Sequence, residues 1–267
     1  MINFPEIKKS NVSIVICGVG ANGSYVTQNI AQLIASFKQN EKCTVVLADP
    51  DVVEEKNLTN QYFVDSDVGS SKSQVLATRY SSSYKAKIFA SETFSKAYVQ
   101  TPEDLKELFK QADMMHRDKR QKQHILIGCV DNFFSRKVMH EYFESETDII
   151  YIDVGNTGIK RRGYFDSSVN FEGFDGQVVV GIKYGGVKVS RDFAGYFPDD
   201  INREDNPADI SCQAAAVSQP QRIFTNKMSA LAVTSVMNDI FAYNGISKAF
   251  IQYNAFKMEM RSLDLES

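Results

Sequence analysis

Residues 49–63 read DPDVVEEKNLTNQYF. Two aspartates, Asp49 and Asp51, follow a β-branched run, and the amides Asn57, Asn60 and Gln61 come after them. A carboxylate at the end of a second strand can accept both hydroxyls of a ribose. Upstream, CGVGANGS sets Gly18, Gly20 and Gly23 between an apolar run and a helical pattern. This is GxGxxG in its working context. Glycine lets the backbone approach a phosphate, and the free N–H groups of the following helix carry partial positive charge. The loop and Asp49 together suit NAD and ATP equally. Further along stand Lys72, opening a helical stretch, and Asp131, closing the strand-like HILIGCVD. A lysine can meet phosphates as a point charge, and a carboxylate can hold Mg²⁺. Taken singly, Lys72 could be a solvated lysine in a first helical turn, and Asp131 could cap the helix that begins at Asn132.

Taken in order, these groups resemble the ThiF family, adenylating enzymes related to ubiquitin-activating enzyme. The family pattern is D-x-D-x-V, then N-L-x-R-Q, a G-x-x-K segment and a later strand ending in D-N. Here it reads Asp49, Asp51, Val53, NLTNQ (57–61), GSSK (69–72) and CVDNFFSR (129–136). YIDVGNTG and GQVVVG look like the subgroup of bacterial PRTRC and ubiquitin-like conjugation operons. The resemblance implies that Asp49 binds the ribose of ATP, Lys72 the phosphates and Asp131 the Mg²⁺. It gives Asn57 and Gln61 to the phosphates or to the shape of the cleft. One departure stands out: the arginine of N-L-x-R-Q is Asn60, which carries no charge. Another arginine (Arg79, Arg136 or one from a partner subunit) can make up for it, or the enzyme is slow, or the chain is an inactive relative.

The resemblance also implies a homodimer, with the apolar helix near 220–243 at or beside the interface, and a substrate that is the C-terminal tail of a small ubiquitin-like (β-grasp) protein. Family members that pass the product on as a thioester use a cysteine in a crossover loop. Cys212, in PADISCQAAAV, falls there, with a conjugating enzyme as the next acceptor. A helix N-terminus after it would lower its thiol pKa, while Asp205 and Asp209 would act the other way. Cys17 and Cys129 lie within apolar strands and read as core, and Cys43 starts a strand. With no CxxC pair among the four cysteines, no zinc is expected.

The elements that must position these groups follow from the apolar runs. VSIVICG (12–18), CTVVLAD (43–49), KIFAS (87–91), HILIGCVD (124–131) and DIIYIDVG (148–155) are nearly unbroken, as strands buried on both faces are. Helical patterns lie between them at 23–37, 70–84, 102–115 and 132–145. In the first, Val26, Ile30, Leu33, Ile34 and Phe37 form one stripe. Alternating β and α predicts a Rossmann-like, doubly wound α/β sheet. The later runs, RRGYFDSSVNFEG, GQVVVGIKYGGVKVS with a turn at Gly185-Gly186, and 249–263 as one alternating strand, predict antiparallel pairing. The sheet is therefore mixed, with a parallel N-terminal half and an antiparallel C-terminal half. It reads as one adenylation domain over 1–267, with a nucleotide-binding half at 10–155 and an antiparallel half at 156–267.

The 267 residues, 43% of them apolar, suffice for one such core. A net charge of −3 leaves no footprint for nucleic acid. HRDKRQKQ (116–123) reads as a solvated loop, and no histidine has a claim on chemistry: His124 starts a strand and His140 lies on a solvated helix face. No signal-peptide core and no membrane-length apolar run occur, and the scattered cysteines suit the cytosol. The expected activity is adenylation of a C-terminal glycine. The alternatives are a non-catalytic assembly subunit, an NAD-dependent dehydrogenase, and activation of a small-molecule or tRNA-bound carboxylate.

Overall fold

The run NVSIVIC forms strand β2 (Asn11–Cys17), buried along its whole length. Ile14 and Ile16 point into one apolar core, and Val15 and Cys17 into another. A strand with two dry faces needs a helical layer on each side, and this sequence supplies both. The computed structural model describes residues 1–4, 9–118, 120–156, 173–201 and 222–265. After a short β1 (Ile2–Asn3) and β2 come α1 (Gly23–Ser36), β3 (Cys43–Ala48), α2 (Lys72–Tyr84), β4 (Lys87–Ala90) and α3 (Pro102–Met114). Then follow β5 (Lys122–Gly128), α4 (Phe133–Ser145) and β6 (Ile149–Asn156). Strands β4, β3, β2, β5 and β6 lie side by side and parallel. The chain moves from β2 to β3 on one side and to β5 on the other, so a crevice opens at the carboxyl ends of β2 and β5.

The second half reverses direction. Strand β7 (Asp175–Tyr184) runs antiparallel to β6 and turns through Gly185 and Gly186, both at positive φ, into β8 (Val187–Ser190). After α5 (Phe193–Tyr196) comes α6 (Ile223–Tyr243), capped by Asn244 in the left-handed conformation. β9 (Gly245–Ile246) pairs with β1, and β10 (Lys248–Asn254) adds to β7. The sheet is the mixed, doubly wound one expected. Helices α1, α2 and α6 cover one face, α3 and α4 the other.

Three expectations change. Residues 249–263 do not form one strand: β10 folds back into β11 (Glu259–Asp264). The turn rests on Asn254, whose Oδ1 accepts the Lys257 N–H at 2.8 Å, and on Met258 at φ 55°. One Asx turn inside an unbroken alternation leaves the period-two pattern intact, which is why the fold-back escapes it. The basic stretch is solvated at Arg117, Asp118 and Arg120 but not at its ends. His116 is buried against Ser13 Oγ at 3.1 Å, and Lys122 and Gln123 open β5. Ser13 is itself fully buried and bonds to Asp113 Oδ1 at 2.6 Å, so this grouping is core and not a nucleophilic triad. His140 is half-buried, its Nδ1 2.6 Å from Asp192 Oδ2, and not solvated. The first antiparallel run, up to residue 172, lies outside the described residues.

Candidate active site

The glycine loop closes tightly at Gly18 and Gly23, where nothing larger fits. Gly18 (φ 81°) donates its N–H to Ala48 O at 2.9 Å, and a Cβ there would lie 2.8 Å from Cys129 O. A Cβ on Gly23 would come within 1.9 Å of Gly18 O. The loop is thereby wedged between the ends of β3 and β5, with α1 springing from it. Asn22, at the N-cap position, makes no side-chain cap bond, and the first turn holds no acidic residue. That helix end stays open to an anion.

Asp49 is buried at the end of β3. Its Oδ2 accepts the Val19 N–H at 2.6 Å and its Oδ1 the Asp51 N–H at 2.9 Å, fastening the glycine loop to β3. Each oxygen keeps a further lone pair. Burial pushes this carboxyl up to about 6, against Lys72 and the two N–H groups, which pull it down. Asp51 takes a different task. Its Oδ2 accepts from Lys72 Nζ at 3.0 Å; the lysine side chain is 7% exposed and the aspartate 50%. The Lys72 N–H also donates to Asp51 O at 3.0 Å. Ser71 supplies the N-cap of α2.

Asp131 follows β5 at the same sheet edge and is exposed. It is not the helix cap: Asn132 Oδ1 accepts the Ser135 N–H at 2.7 Å and does that work. Asn57 is buried, its Oδ1 accepting the Glu54 N–H at 2.8 Å. The Gln61 side chain lies over Gly20, about 3.8 Å from where a Cβ would sit, and its buried Oε1 has no partner among the described residues. Of the arginines proposed to replace the missing one, Arg79 is held by Asp67 at 2.5 Å and by Tyr62 O. Arg136 is buried on Asp153 at 3.1 Å and on the carbonyls of Val130 and Val154. Cys17 and Cys43 are buried, which pushes each thiol up to about 12, and burial raises Cys129 as well. Cys212, Asp205 and Asp209 lie outside the described residues.

Sequence reasoning missed two contributors. Tyr98 Oη is 3.4 Å from Asp51 Oδ1, and burial, then Asp51, Asp49 and Asp131, push its phenol up to about 12. The second is an amide network. Asn22 Oδ1 accepts from Asn156 Nδ2 at 2.7 Å and from Ser229 Oγ at 2.9 Å. Asn226 Oδ1 accepts from Asn156 Nδ2 at 3.0 Å, and Asn226 Nδ2 donates to Asn60 O at 3.2 Å. It ties the start of α6 to the glycine loop.

The ThiF family profile matches residues 6–267. The chain belongs to the ThiF family. The match is to the family as a whole and does not single out a subgroup. Among curated proteins no sequence matches. Similar solved structures include PaaA (15% identity, TM-score 0.56, covering 97% of this chain and 65% of that one). Another is Escherichia coli MccB with ATP (14%, 0.58, 97% and 65%). A third is the microcin C7 biosynthetic enzyme MccB with N-formylated MccA (15%, 0.60, 97% and 66%). At these identities they share its fold. This ThiF-family chain spans about two thirds of the length of those solved chains. No helix among its described residues is long and apolar enough to cross a membrane.

Proposed function

We propose that this ThiF-family chain uses ATP to adenylate the C-terminal carboxylate of a peptide or small protein. The observation that carries the reading is the meeting, at one sheet edge, of an uncapped glycine loop with the buried Lys72 ammonium. Two anions, a triphosphate and a carboxylate, must be brought together. The open end of α1 and Lys72 counter their repulsion. The carboxylate oxygen attacks the α-phosphorus, the bond from that phosphorus to the bridging oxygen breaks, and pyrophosphate leaves with its electron pair. Asp49 accepts the ribose hydroxyls on its remaining lone pairs. Gln61, with its unpartnered oxygen over Gly20, borders the phosphates. Asp131, exposed and uncommitted to its helix, fits a Mg²⁺ ligand; the ion, when bound, supplies charge neutralisation. The ATP in one MccB structure and the N-formylated MccA in another support a site that takes a nucleotide and a second molecule.

The finer reading is that the substrate is the glycine tail of a ubiquitin-like protein, that the enzyme is a homodimer, and that Cys212 takes the acyl group as a thioester for a conjugating enzyme. Burial of the three described thiols favours the fourth as nucleophile. ATP–pyrophosphate exchange with candidate tails tests the first step. Cys212→Ala should keep exchange and lose a thiol-sensitive adduct, and an adduct that survives the substitution refutes the assignment. A second reading, a nucleotide-binding subunit without turnover, is favoured by Asn60 and by the full commitment of Arg79 and Arg136. ATP binding without exchange across candidate substrates would select it. Absence of any adenine-nucleotide binding would end both.

A further inference from the structure

We infer that Lys227, on α6, supplies positive charge to the polyphosphate of a nucleotide bound at the glycine loop. The inference rests on the nucleotide reading above. Lys227 is exposed, and its Nζ lies 6.0 Å from the centre of the Tyr25 ring. Tyr25 belongs to the first turn of α1, the end an anion approaches, and packs on Tyr62 with ring centres 5.1 Å apart. The Tyr62 N–H in turn bonds to Ser24 Oγ, in the same turn. Lys227 therefore stands over the open helix end across one aromatic ring.

Its backbone is held there. The preceding residue, Asn226, is fully buried and grips Asn60 O and Asn156, while Ser229, two residues on, bonds to Asn22 of the loop. The ammonium at the tip of a four-carbon stem remains free to swing. A centroid distance of 6.0 Å is the outer limit of a cation–π contact, so the ring holds it weakly.

The charge balance points the same way. Three aspartates face this edge, and each of these nearby cations already faces a carboxylate that a phosphate would have to displace or share: Lys72 with Asp51, Arg79 with Asp67, Arg136 with Asp153, and Lys56 with Glu54. Among the described residues no carboxylate pairs with Lys227. Residue 60 carries an uncharged amide, and its carbonyl touches the residue next to Lys227. A charge absent from that turn is thus available from the helix packed on it.

Calorimetry with ATP and with AMP on Lys227→Gln, Lys227→Arg and the control Lys106→Gln, exposed on α3 across the sheet, tests this. We expect Lys227→Gln to weaken ATP binding about tenfold and AMP binding less than about twofold, as loss of one charge-assisted contact to the outer phosphates predicts. Lys227→Arg and Lys106→Gln should bind as wild type. Adding Asn60→Arg to Lys227→Gln should recover most of the lost affinity. Unchanged ATP affinity in Lys227→Gln overturns the inference and leaves the nucleotide reading standing. An equal loss for ATP and AMP also overturns it, since that marks a distorted pocket. Wild-type protein that binds neither nucleotide overturns both.

Discussion

Asp131 and Asn132 are neighbours with opposite commitments, and exchanging their fates separates fold from chemistry. Asn132, in the extended conformation, caps α4 through the 2.7 Å bond to the Ser135 N–H. Removing such a cap costs about 1 kcal/mol. For a chain of this size that lowers the melting temperature by about 2–4 °C. Asp131 is exposed and takes no part in the cap, so Asp131→Asn should change stability by less than about 0.5 kcal/mol. Its effect belongs to the ligand. Calorimetry with and without Mg²⁺ should show wild type gaining ATP affinity from the ion, and Asp131→Asn losing most of that gain. Pyrophosphate exchange should fall by about 10²–10³. Asn132→Ala should show the reverse: a lower melting temperature and an intact Mg²⁺ effect. The assignment is refuted if Asp131→Asn melts as low as Asn132→Ala, or if its Mg²⁺ dependence matches wild type.

Two further substitutions probe charge. Asp192 beside His140 holds the imidazolium above its usual range, so the pair's stabilisation is complete below about pH 6.5 and is lost as pH rises through the raised pKa. His140→Gln should therefore trail wild type in melting temperature at pH 6 and close the gap as the pH is raised into the alkaline range; Glu144 and Lys188 flank the imidazole and remain in place in both. A gap that is constant with pH contradicts the pairing. Asp51→Asn should cost about 1 kcal/mol of stability, because a half-exposed partner is lost from a buried ammonium, yet bind Mg²⁺-free ATP several-fold more tightly. Chemical denaturation and calorimetry read the two signs separately, and a fall in both would be fatal to the phosphate role of Lys72.

The parallel sheet was legible because burial on both faces leaves strands no polar alternation, and VSIVIC and CTVVLA cannot be read as anything solvated. The glycine loop was legible for a related reason. Gly23 answers a steric demand only five residues away, at Gly18 O, whereas the demand on Gly18 comes from Cys129 O, far along the chain. Contacts between distant residues were not legible. Ser229 meets Asn22 across 207 positions and His140 meets Asp192 across 52, and neither pairing leaves a periodic trace. Tyr98 sits in a loop with no pattern at all. Its approach to Asp51 appears only when the chain beyond β4 returns to the edge where β3 and β5 end.

The two aspartates of the DPD stretch divide the labour that a single acidic residue performs in a simple ribose site. Asp49 fastens the glycine loop with one lone pair of each oxygen, and on the proposed reading the other pairs meet the ribose. Asp51 is spent on Lys72. A buried ammonium needs an anion in every state, so something must neutralise Lys72 before a nucleotide arrives. The exposures set which partner yields. Lys72, at 7%, has nowhere to go, whereas Asp51, at 50%, can turn to water at little cost. On the proposed reading, phosphate binding is then an exchange of anions on a stationary lysine, and the strength of the Asp51 contact subtracts from ATP affinity. A site built this way gains from a second cation that no carboxylate holds, which is the place Lys227 fills.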